Sequence, residues 1–381
     1  MSEIRPIHIL FVIDFWGNPG GTERHLWYLA THLDRRFKCS VVIFDYSPNA
    51  LVDKVKAAGV EILHLPIGRF LTFDAMRKAR TLRAFIESRG VDIVQTFHYK
   101  SDIYGAVVAR SAGVRRIVAS KRDAADYKGA FRFFLHKLVR PITRQYIAVS
   151  QVVADVVHKK EGVPSEKITV IHNGVDLDNY HSPDPAARAR AKESLGFAAT
   201  DLVIGMSAWF RPEKDHQLLI DAFLEFSAQA PNARLVFVGN GPLYPEYRER
   251  LAARGLADRI KLVGAVDDVR PYLHAFDVAC LVPRINEGFS NSVLEKMASA
   301  LPVIVTDVGG NREAVAEGET GFVIAPGDRA ALVECLQRLY RDPDRRMRMG
   351  TAARQRVERL FSLQSMIDRH ARLYLSMHSS N

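Results

Sequence analysis

Short apolar runs alternate with amphipathic stretches along almost the whole chain, and this alternation constrains the fold more than any other feature. The apolar runs have the length of buried strands, and the stretches between them have helical periodicity. A repeated strand–helix order predicts an α/β fold with parallel sheets covered by helices on both faces. The predicted strands are 7–13, 39–44, 61–65, 93–96, 116–120 and 146–149, then 202–206, 234–238, 260–263, 278–282 and 303–306.

One stretch interrupts this alternation near the middle of the chain. Residues 176–185 are rich in Pro and Asp and lack a periodic apolar pattern, so we interpret them as a linker. A chain of 381 residues is long enough for two domains that each bury a core. We therefore expect two Rossmann-like domains, 1–180 and 181–361, that face each other across a substrate cleft.

The composition indicates the compartment. No apolar run reaches the roughly 18–20 residues that cross a bilayer. The run 7–13 is followed by Asp14 and lacks a cleavage site, so we interpret it as a first strand and not as a signal peptide. The three cysteines have neither disulfide nor zinc spacing, which favours a reducing cytoplasm.

The charge distribution indicates what kind of partner the protein binds. The formal net charge is +10, and residues 100–144 alone contain 11 basic and 3 acidic residues. A basic face suggests an anionic partner such as a nucleic acid, a membrane surface or a phosphorylated acceptor. Nucleic acid is not favoured, because no recognisable nucleic-acid-binding module accompanies the charge.

Two glutamates eight positions apart flank the start of a predicted helix. Glu287 and Glu295 follow the strand 278–282, and the helix extends over about 290–300. A helix N-terminus offers unpaired N–H groups and a partial positive charge that suit a phosphate. Nearby carboxylates accept hydrogen bonds from hydroxyls. A nucleotide sugar, anionic in the middle and hydroxylated at both ends, fits this arrangement.

A structural alternative exists for the second glutamate. Ser292-Val-Leu-Glu295 is a capping-box pattern, in which Glu295 bonds back to the backbone at Ser292. Glu287, next to Gly288, has no comparable structural role and would otherwise be a solvated loop carboxylate.

A second candidate anion site follows the predicted strand 202–206. Arg211 and Lys214 lie between that strand and the next predicted helix. Open α/β sheets bind ligands at the carboxyl ends of their strands. Arg supplies a planar fork for phosphate oxygens and Lys a mobile point charge. A solvated charged turn is the alternative, but the two glutamates in the same half of the chain favour a phosphate site.

These motifs resemble a known family. Arg211-x-x-Lys214 followed by Glu287-x7-Glu295 resembles the signature of family-4 retaining glycosyltransferases of the GT-B fold. The resemblance covers nearly the whole chain and includes Gly20-Gly21-Thr-Glu, Ile171-His-Asn-Gly-Val-Asp176, Val238-Gly-Asn-Gly-Pro242 and Gly309-Gly310-Asn-Arg-Glu313. It implies a UDP- or GDP-linked sugar donor, and a C-terminal segment over about 362–381 that crosses back to the first domain.

The resemblance also implies roles for individual residues. Arg211 and Lys214 would neutralise the departing diphosphate without a metal or a cofactor. Glu287 would hold hydroxyls of the donor sugar, and Glu295 those of the ribose. Further donor contacts would come from Gly288, Phe289 and Ser290. The acceptor would attack on the face that the diphosphate leaves, because no carboxylate stands out as a nucleophile.

Four more positions are implied by the resemblance. Gly21 would contact the donor diphosphate and the acceptor, and His98 would lie near the transferred sugar. Gly239 would leave room for the nucleobase, whose edge would meet the backbone of Val266. From the residues alone, Gly21 equally fits a turn before a helix capped by Thr22, and His98 equally fits a structural role.

Two other functions stay open at this stage. A nucleotide-sugar 2-epimerase shares the fold but gains no support from the Arg/Lys and Glu/Glu motifs. A catalytically silent GT-B scaffold typically loses those residues, and this chain keeps all four. A nicotinamide oxidoreductase is disfavoured, because Gly-x-Gly-x-x-Gly is absent.

The basic stretch also mixes charge with aromatic residues. This mixture predicts peripheral binding to an anionic membrane at the inner face of the plasma membrane, and a glycan or lipid-linked acceptor from polysaccharide or lipopolysaccharide biosynthesis. The alternative is a helix whose phenylalanines pack on their own sheet. The residues in question are Lys121, Arg122, Lys128, Phe131, Arg132, Phe133, Phe134 and Leu135.

Overall fold

The structure is a computed structural model that describes residues 5–17, 20–68, 70, 72–123 and 130–379. The chain divides into two compact units. Unit 1 comprises Met1–Asn173 and Gln364–Asn381, and unit 2 comprises Gly174–Leu363. No helix of the described residues is both long enough and apolar enough to cross a membrane.

Unit 1 contains a seven-stranded sheet in the order β3-β2-β1-β4-β5-β6-β7, and every neighbouring pair is parallel. Its strands are buried on both faces at the centre, as expected for a sheet covered by helices. The strands are β1 (Ile7–Trp16), β2 (Phe37–Tyr46), β3 (Glu61–His64), β4 (Ile93–Phe97), β5 (Arg116–Lys121), β6 (Gln145–Ala148) and β7 (Ile168–Val170).

Helices of unit 1 follow most of these strands, and a five-residue π-helix over Ser101–Gly105 leads into the fourth. The helices are α1 (Gly21–His32), α2 (Ala50–Ala57), α3 (Phe73–Arg89), α4 (Ala106–Ser111), α5 (Ala130–Val139) and α6 (Gln151–Lys159).

Unit 2 contains a second parallel sheet, of six strands, in the order β10-β9-β8-β11-β12-β13. Its strands are β8 (Leu202–Ser207), β9 (Ala233–Val238), β10 (Ile260–Gly264), β11 (Val278–Leu281), β12 (Val303–Thr306) and β13 (Gly321–Ile324). Its helices are α7 (Pro185–Ser194), α8 (His216–Phe226), α9 (Tyr244–Ala253), α10 (Arg270–Ala275), α11 (Asn291–Ala298), α12 (Asn311–Ala314), α13 (Arg329–Arg341) and α14 (Pro343–Leu360).

The last helix, α15 (Leu363–Ser379), belongs almost entirely to unit 1. Tyr374 is fully buried there, and its hydroxyl donates to Oε1 of Gln95 at 2.5 Å. Arg116 donates to the carbonyl of Met377 at 2.8 Å. The chain therefore returns to unit 1 after completing unit 2, as the resemblance implied.

The α/β prediction is confirmed, and all eleven predicted strands exist. The sequence pattern missed β7, a half-buried strand of three residues, and β13, a strand of four residues. Residues 176–185, interpreted as a linker, lie within unit 2: Leu177–Asn179 forms a 3₁₀ turn and Pro185 begins α7.

The strand order reverses direction at one point in each sheet. In unit 1 this point lies between β1 and β4, and in unit 2 it lies between β8 and β11. Loops leave the two central strands in opposite directions at such a switch point and open a crevice at the carboxyl ends of the strands. A ligand site is therefore expected at the loops after β1, β4, β8 and β11.

Candidate functional site

In unit 2, the loop after β8 carries two of the predicted cations. Arg211 precedes a 3₁₀ turn over Pro212–Lys214. Asp215 follows in the left-handed conformation, with φ of 49°, and accepts a hydrogen bond from the N–H of Leu218 as the N-cap of α8. This combination of a tight turn and a cap fixes where Lys214 leaves the backbone.

Lys214 is paired with Glu287 across the switch point. Nζ of Lys214 lies 2.5 Å from Oε2 of Glu287, although the two residues are 73 positions apart. The side chains are 24% and 12% exposed, so this charged pair is partly shielded from water. The structure thus brings together one residue from each of the two predicted motifs, because β8 and β11 are neighbours in the sheet.

A second ion pair joins the same two loops. Nε of Arg284 donates to Oδ2 of Asp215 at 2.5 Å, and the backbone N–H of Arg284 donates to the carbonyl of Glu213 at 2.8 Å. Neither side chain is among the site residues predicted from the sequence. Asp215 carries the signal of an N-cap directly before a helix, whereas Arg284 has no local signal at all.

The backbone of Glu287 is held by a glycine turn after β12. Gly309 has φ of 58°, and a Cβ atom at this position would lie 1.8 Å from the carbonyl oxygen of Glu287. The N–H of Gly310 donates to the carbonyl of Gly288 at 2.7 Å. Only glycine allows this close approach, so the turn fixes the start of the Glu287–Glu295 segment.

The N-terminus of α11 has no side-chain cap. Ser290 is the N-cap residue, but its side chain makes no hydrogen bond to the helix. Ser292 lies inside the helix, and its hydroxyl donates to the carbonyl of Ser207 at 2.8 Å. The capping-box interpretation of Ser292 and Glu295 is therefore wrong. The first N–H groups of this helix suit an anion, and Glu295, 9% exposed, lies one turn further along.

Arg211 is placed differently from Lys214. It is exposed, and its guanidinium carbon lies 5.2 Å from the ring centre of Trp209, which is itself 46% exposed. Between them, Phe210 is buried and stacks on His216 with ring centres 4.0 Å apart. Burial, together with the charge of Lys214, lowers the pKa of His216 to about 4, so this imidazole is neutral at physiological pH.

Gly239 and Gly241 have a steric role in the same loop cluster. A Cβ atom at Gly239 would lie 2.1 Å from the carbonyl oxygen of Ala208, and one at Gly241 would lie 2.7 Å from that of Phe210. These glycines thus make room for the backbone of the loop after β8. Val266 is half-buried in the loop after β10. Gly264, the last residue of β10, accepts a hydrogen bond from the N–H of Gly239 at 2.8 Å.

In unit 1, His98 follows β4 at the switch point. It has φ of 76°, a strained conformation for a residue other than glycine, and such strain is concentrated at functional sites. Asp14, at the end of β1, accepts hydrogen bonds from the N–H groups of Lys100 at 2.6 Å and Ser101 at 2.5 Å. Burial raises the pKa of Asp14, while these N–H donors and the nearby His98 act against that rise.

The loop before α1 caps the helix through a residue other than the one predicted. Gly20 is the N-cap, Gly21 is the first helical residue, and Thr22 lies within the helix. The buried side chain of Glu23 accepts a hydrogen bond from the N–H of Gly20 at 3.0 Å. The prediction of Thr22 as N-cap is therefore wrong.

The basic stretch divides into a buried part and an exposed part. Lys121 is 6% exposed, and its Nζ lies 2.9 Å from Asp102 and 3.3 Å from Glu161, so it cannot contact a membrane surface. Nη2 of Arg122 donates to Oδ1 of Asn173 at 2.5 Å, and its Nε and Nη1 are buried. Lys128 lies outside the described residues.

Helix α5 forms the exposed part. Its phenylalanines are not packed on the sheet: Phe131 is 65%, Phe133 41% and Phe134 53% exposed, while Leu135 is half-buried. Leu138 is also exposed, at 57%. Exposed Arg132 and Lys137 flank these apolar side chains. This surface, formed by Phe131, Arg132, Phe133, Phe134, Lys137 and Leu138, is called the α5 face below.

Metal-ligand chemistry has no candidate within the described ranges. In residues 5–17, 20–68, 70, 72–123 and 130–379, no three His, Cys, Asp or Glu side chains are grouped so that they could hold a metal ion.

Comparisons with known proteins show to which class of proteins this chain belongs. Residues 187–356 match the model of glycosyl transferases group 1, and residues 19–179 match that of glycosyltransferase family 4. The chain is similar to the crystal structure of HepE from Anabaena in complex with UDP, with a TM-score of 0.84 and 22% identity over 97% of this chain and 100% of that one. Its fold is that of the GT-B glycosyltransferases.

Two curated relatives are similar in sequence. The lipopolysaccharide core biosynthesis mannosyltransferase LpsB of Rhizobium meliloti is 30% identical over 55% of this chain and 61% of its own length. The GDP-mannose-dependent alpha-(1-6)-phosphatidylinositol monomannoside mannosyltransferase of Mycolicibacterium smegmatis is 34% identical over 50% and 52%. The chain thus spans about half the length of the curated relatives it matches. With the two family models, which together cover most of it, the chain belongs to the group 1 and family 4 glycosyltransferases.

Proposed function

We propose that this protein is a retaining glycosyltransferase that moves a sugar from a nucleoside diphosphate donor to a hydroxyl acceptor without a metal. The observation that supports this most directly is the Lys214–Glu287 pair beside the uncapped N-terminus of α11. Both lie at the switch point of unit 2, where an open parallel sheet binds its ligand.

The charges at this point suit a diphosphate flanked by hydroxyls. Lys214 and Arg211 supply positive charge, and the first N–H groups of α11 supply aligned donors. Glu287 and Glu295 supply acceptors for the hydroxyls of the donor sugar and of the ribose, respectively. Glu287 neutralises Lys214, so a donor phosphate competes with this carboxylate for the ammonium.

The proposed reaction uses few protein groups. As the bond between the sugar and the diphosphate breaks, negative charge grows on the leaving phosphate, and Lys214 with the α11 N–H groups stabilises it. The acceptor oxygen attacks the anomeric carbon from the same face, and its proton passes to a leaving phosphate oxygen. We propose His98 as a catalytic residue of unit 1.

A nucleotide-binding measurement tests the donor assignment. Wild-type protein is screened against UDP- and GDP-sugars, and a donor present at about 100 times its dissociation constant is expected to stabilise the fold by about 2.7 kcal/mol. Glu295→Gln removes a charge and one acceptor oxygen, so we expect the affinity of the selected donor to fall about tenfold in calorimetry.

The exposed glutamate Glu334 on α13 provides the control, since Glu334→Gln changes the same chemical group away from the site. Equal donor affinity in wild type and Glu295→Gln would remove Glu295 from the site. The absence of binding by every nucleotide sugar would contradict the donor assignment as a whole.

We further propose that the acceptor is lipid-linked and that the protein acts at the cytoplasmic face of a membrane. The α5 face supports this proposal, because exposed aromatic side chains beside cations suit the interface of an anionic bilayer. The names of the two curated relatives, a lipopolysaccharide core enzyme and a phosphatidylinositol mannoside enzyme, are consistent with such an acceptor.

Liposome sedimentation tests the membrane proposal. Binding is expected to require anionic lipid and to weaken as salt rises. Arg132→Ser with Lys137→Ser should weaken it about 30-fold, because each cation near the headgroups contributes about 1 kcal/mol. Arg77→Ser with Arg83→Ser, on α3, removes the same charge from another exposed helix and should have little effect. Failure of wild type to bind anionic vesicles at low salt would favour an acceptor that is not membrane-bound.

A further inference from the structure

Lys296 is a buried lysine on α11, one position after Glu295. It is fully buried, with 0% exposure. Its Nζ donates to Oγ of Ser292 at 2.5 Å and lies 3.5 Å from the carbonyl oxygen of Ser207. Within the described part of the chain, it forms no ion pair with a carboxylate. An ammonium group without a counter-charge is costly in a protein interior, so its presence here needs an explanation.

Hydrogen bonds connect Lys296 to the candidate donor site. Ser292 is the second residue of α11, and its hydroxyl bonds to the carbonyl of Ser207 at 2.8 Å and lies 3.0 Å from the hydroxyl of Ser207. Ser207 is the last residue of β8, directly before the loop that carries Arg211 and Lys214. The chain of hydrogen bonds thus joins the first turn of α11 to the end of β8.

We propose that Lys296 is a positioning residue of the donor site, and that the donor diphosphate supplies the partner charge that no paired carboxylate supplies to this buried ammonium. Lys296 does not contact the ligand. It acts through its field in a low-dielectric interior, where charges interact strongly, and through Ser292, which orients the first turn of α11. This inference rests on the proposed nucleotide-sugar binding and adds a specific residue to it.

The electrostatic environment of Lys296 supports this role. Burial lowers its pKa to about 8, and neighbouring acidic groups oppose that effect only in part. On α14, which also packs on α11, Arg354 donates to the carbonyl of Ala298 at 2.6 Å, and α12, which packs there too, carries Arg312 and Glu313. The other groups that act on Lys296 are Glu295 on its own helix, Cys280 on β11, and Lys214 and Glu287 in the adjoining loops.

A direct consequence is a pH-dependent affinity for nucleotides. An anionic ligand binds the protonated form of Lys296 more tightly and therefore raises its pKa on binding. Affinity is then full well below the pKa of about 8 and declines as the pH rises through that value towards the higher pKa of the complex. If protonation strengthens binding about tenfold, which corresponds to one pKa unit, affinity should fall about fivefold between pH 7 and pH 9.

Calorimetry with UDP and GDP at pH values between 7 and 9 tests the proposal. Lys296→Met replaces the ammonium by an apolar group of similar length. It should weaken binding about tenfold at pH 7 and flatten the pH profile, while the thermal stability is maintained or increased. Lys296→Arg keeps the charge but does not titrate in this range, so it should keep the affinity and lose the pH dependence.

Lys192→Met is the matched control. Lys192 is also buried in unit 2, at 4% exposure, but it pairs with Asp277 at 2.8 Å and belongs to α7. This variant should lose stability and keep the pH profile of wild type. Wild-type binding without an inflection near pH 8, or an identical profile in Lys296→Met, would overturn the role of Lys296 and leave the donor site standing. Absence of UDP and GDP binding by wild type would overturn both.

Discussion

Replacing Lys214 by alanine is expected to lower the turnover number by about 10²–10³-fold, the usual effect of removing one group that stabilises charge in the transition state. Lys214 is partly shielded, and its 2.5 Å contact with Glu287 orients it at the switch point of unit 2. Folding should survive, because the side chain leaves a surface loop. The measurement is steady-state release of the nucleotide from the donor selected by the binding screen.

Two further variants serve as comparisons for the Lys214→Ala result. Arg211→Ala should have a smaller effect, about tenfold, since Arg211 is exposed and stacks on Trp209. Arg329→Ala, which removes an exposed cation at the start of α13, should leave turnover unchanged. A folded Lys214→Ala protein with wild-type turnover would contradict the assignment of Lys214 to the departing diphosphate.

Gly309→Ala is expected to have the second-largest effect. The new Cβ would lie 1.8 Å from the carbonyl oxygen of Glu287, so the Glu287 backbone must move away. Displacing a site residue by about 1 Å lowers the rate by about 10²-fold. The left-handed conformation and the overlap together should also lower the free energy of unfolding by about 2–4 kcal/mol.

Gly318→Ala separates the cost of the left-handed backbone conformation from the cost of the steric overlap. Gly318 also has a positive φ, 74°, but a Cβ atom there would meet nothing within 4 Å. This control should show the backbone strain, about 1 kcal/mol, with unchanged turnover. Thermal unfolding and steady-state kinetics on both variants provide the comparison. If Gly309→Ala kept full activity, the glycine turn would not be what holds Glu287 in place.

The sequence was sufficient for features that depend on local pattern. The apolar runs predicted eleven of the thirteen strands of the described residues, and the family resemblance implied a shared donor for Lys214 and Glu287, whose side chains are in contact. The local pattern gave a wrong prediction for the cap of α11. Ser292-Val-Leu-Glu295 has the spacing of a capping box, but the helix begins at Asn291, so Ser292 faces Ser207 instead.

Other features required the tertiary structure. Arg284 pairs with a residue 69 positions away, and nothing in its own segment indicates that partner. Lys121 was assigned to a membrane surface because its stretch mixes charge with aromatic residues, but it is the buried last residue of β5, where Asp102 and Glu161 neutralise it. Lys296 is buried because α11 is buried all round from Val293 to Ala298, and a lysine in the sequence does not predict such burial.

The return of α15 to unit 1 determines the order in which the chain can fold during synthesis. Unit 2 is continuous from Gly174 to Leu363, so all of its strands are available once that segment has emerged from the ribosome. Unit 1 emerges first, yet its core lacks Tyr374 and His370 until the final helix is made. We therefore expect the second unit to acquire its native structure before the first is complete, and a nascent chain stalled before Gln364 to expose the surface that α15 covers.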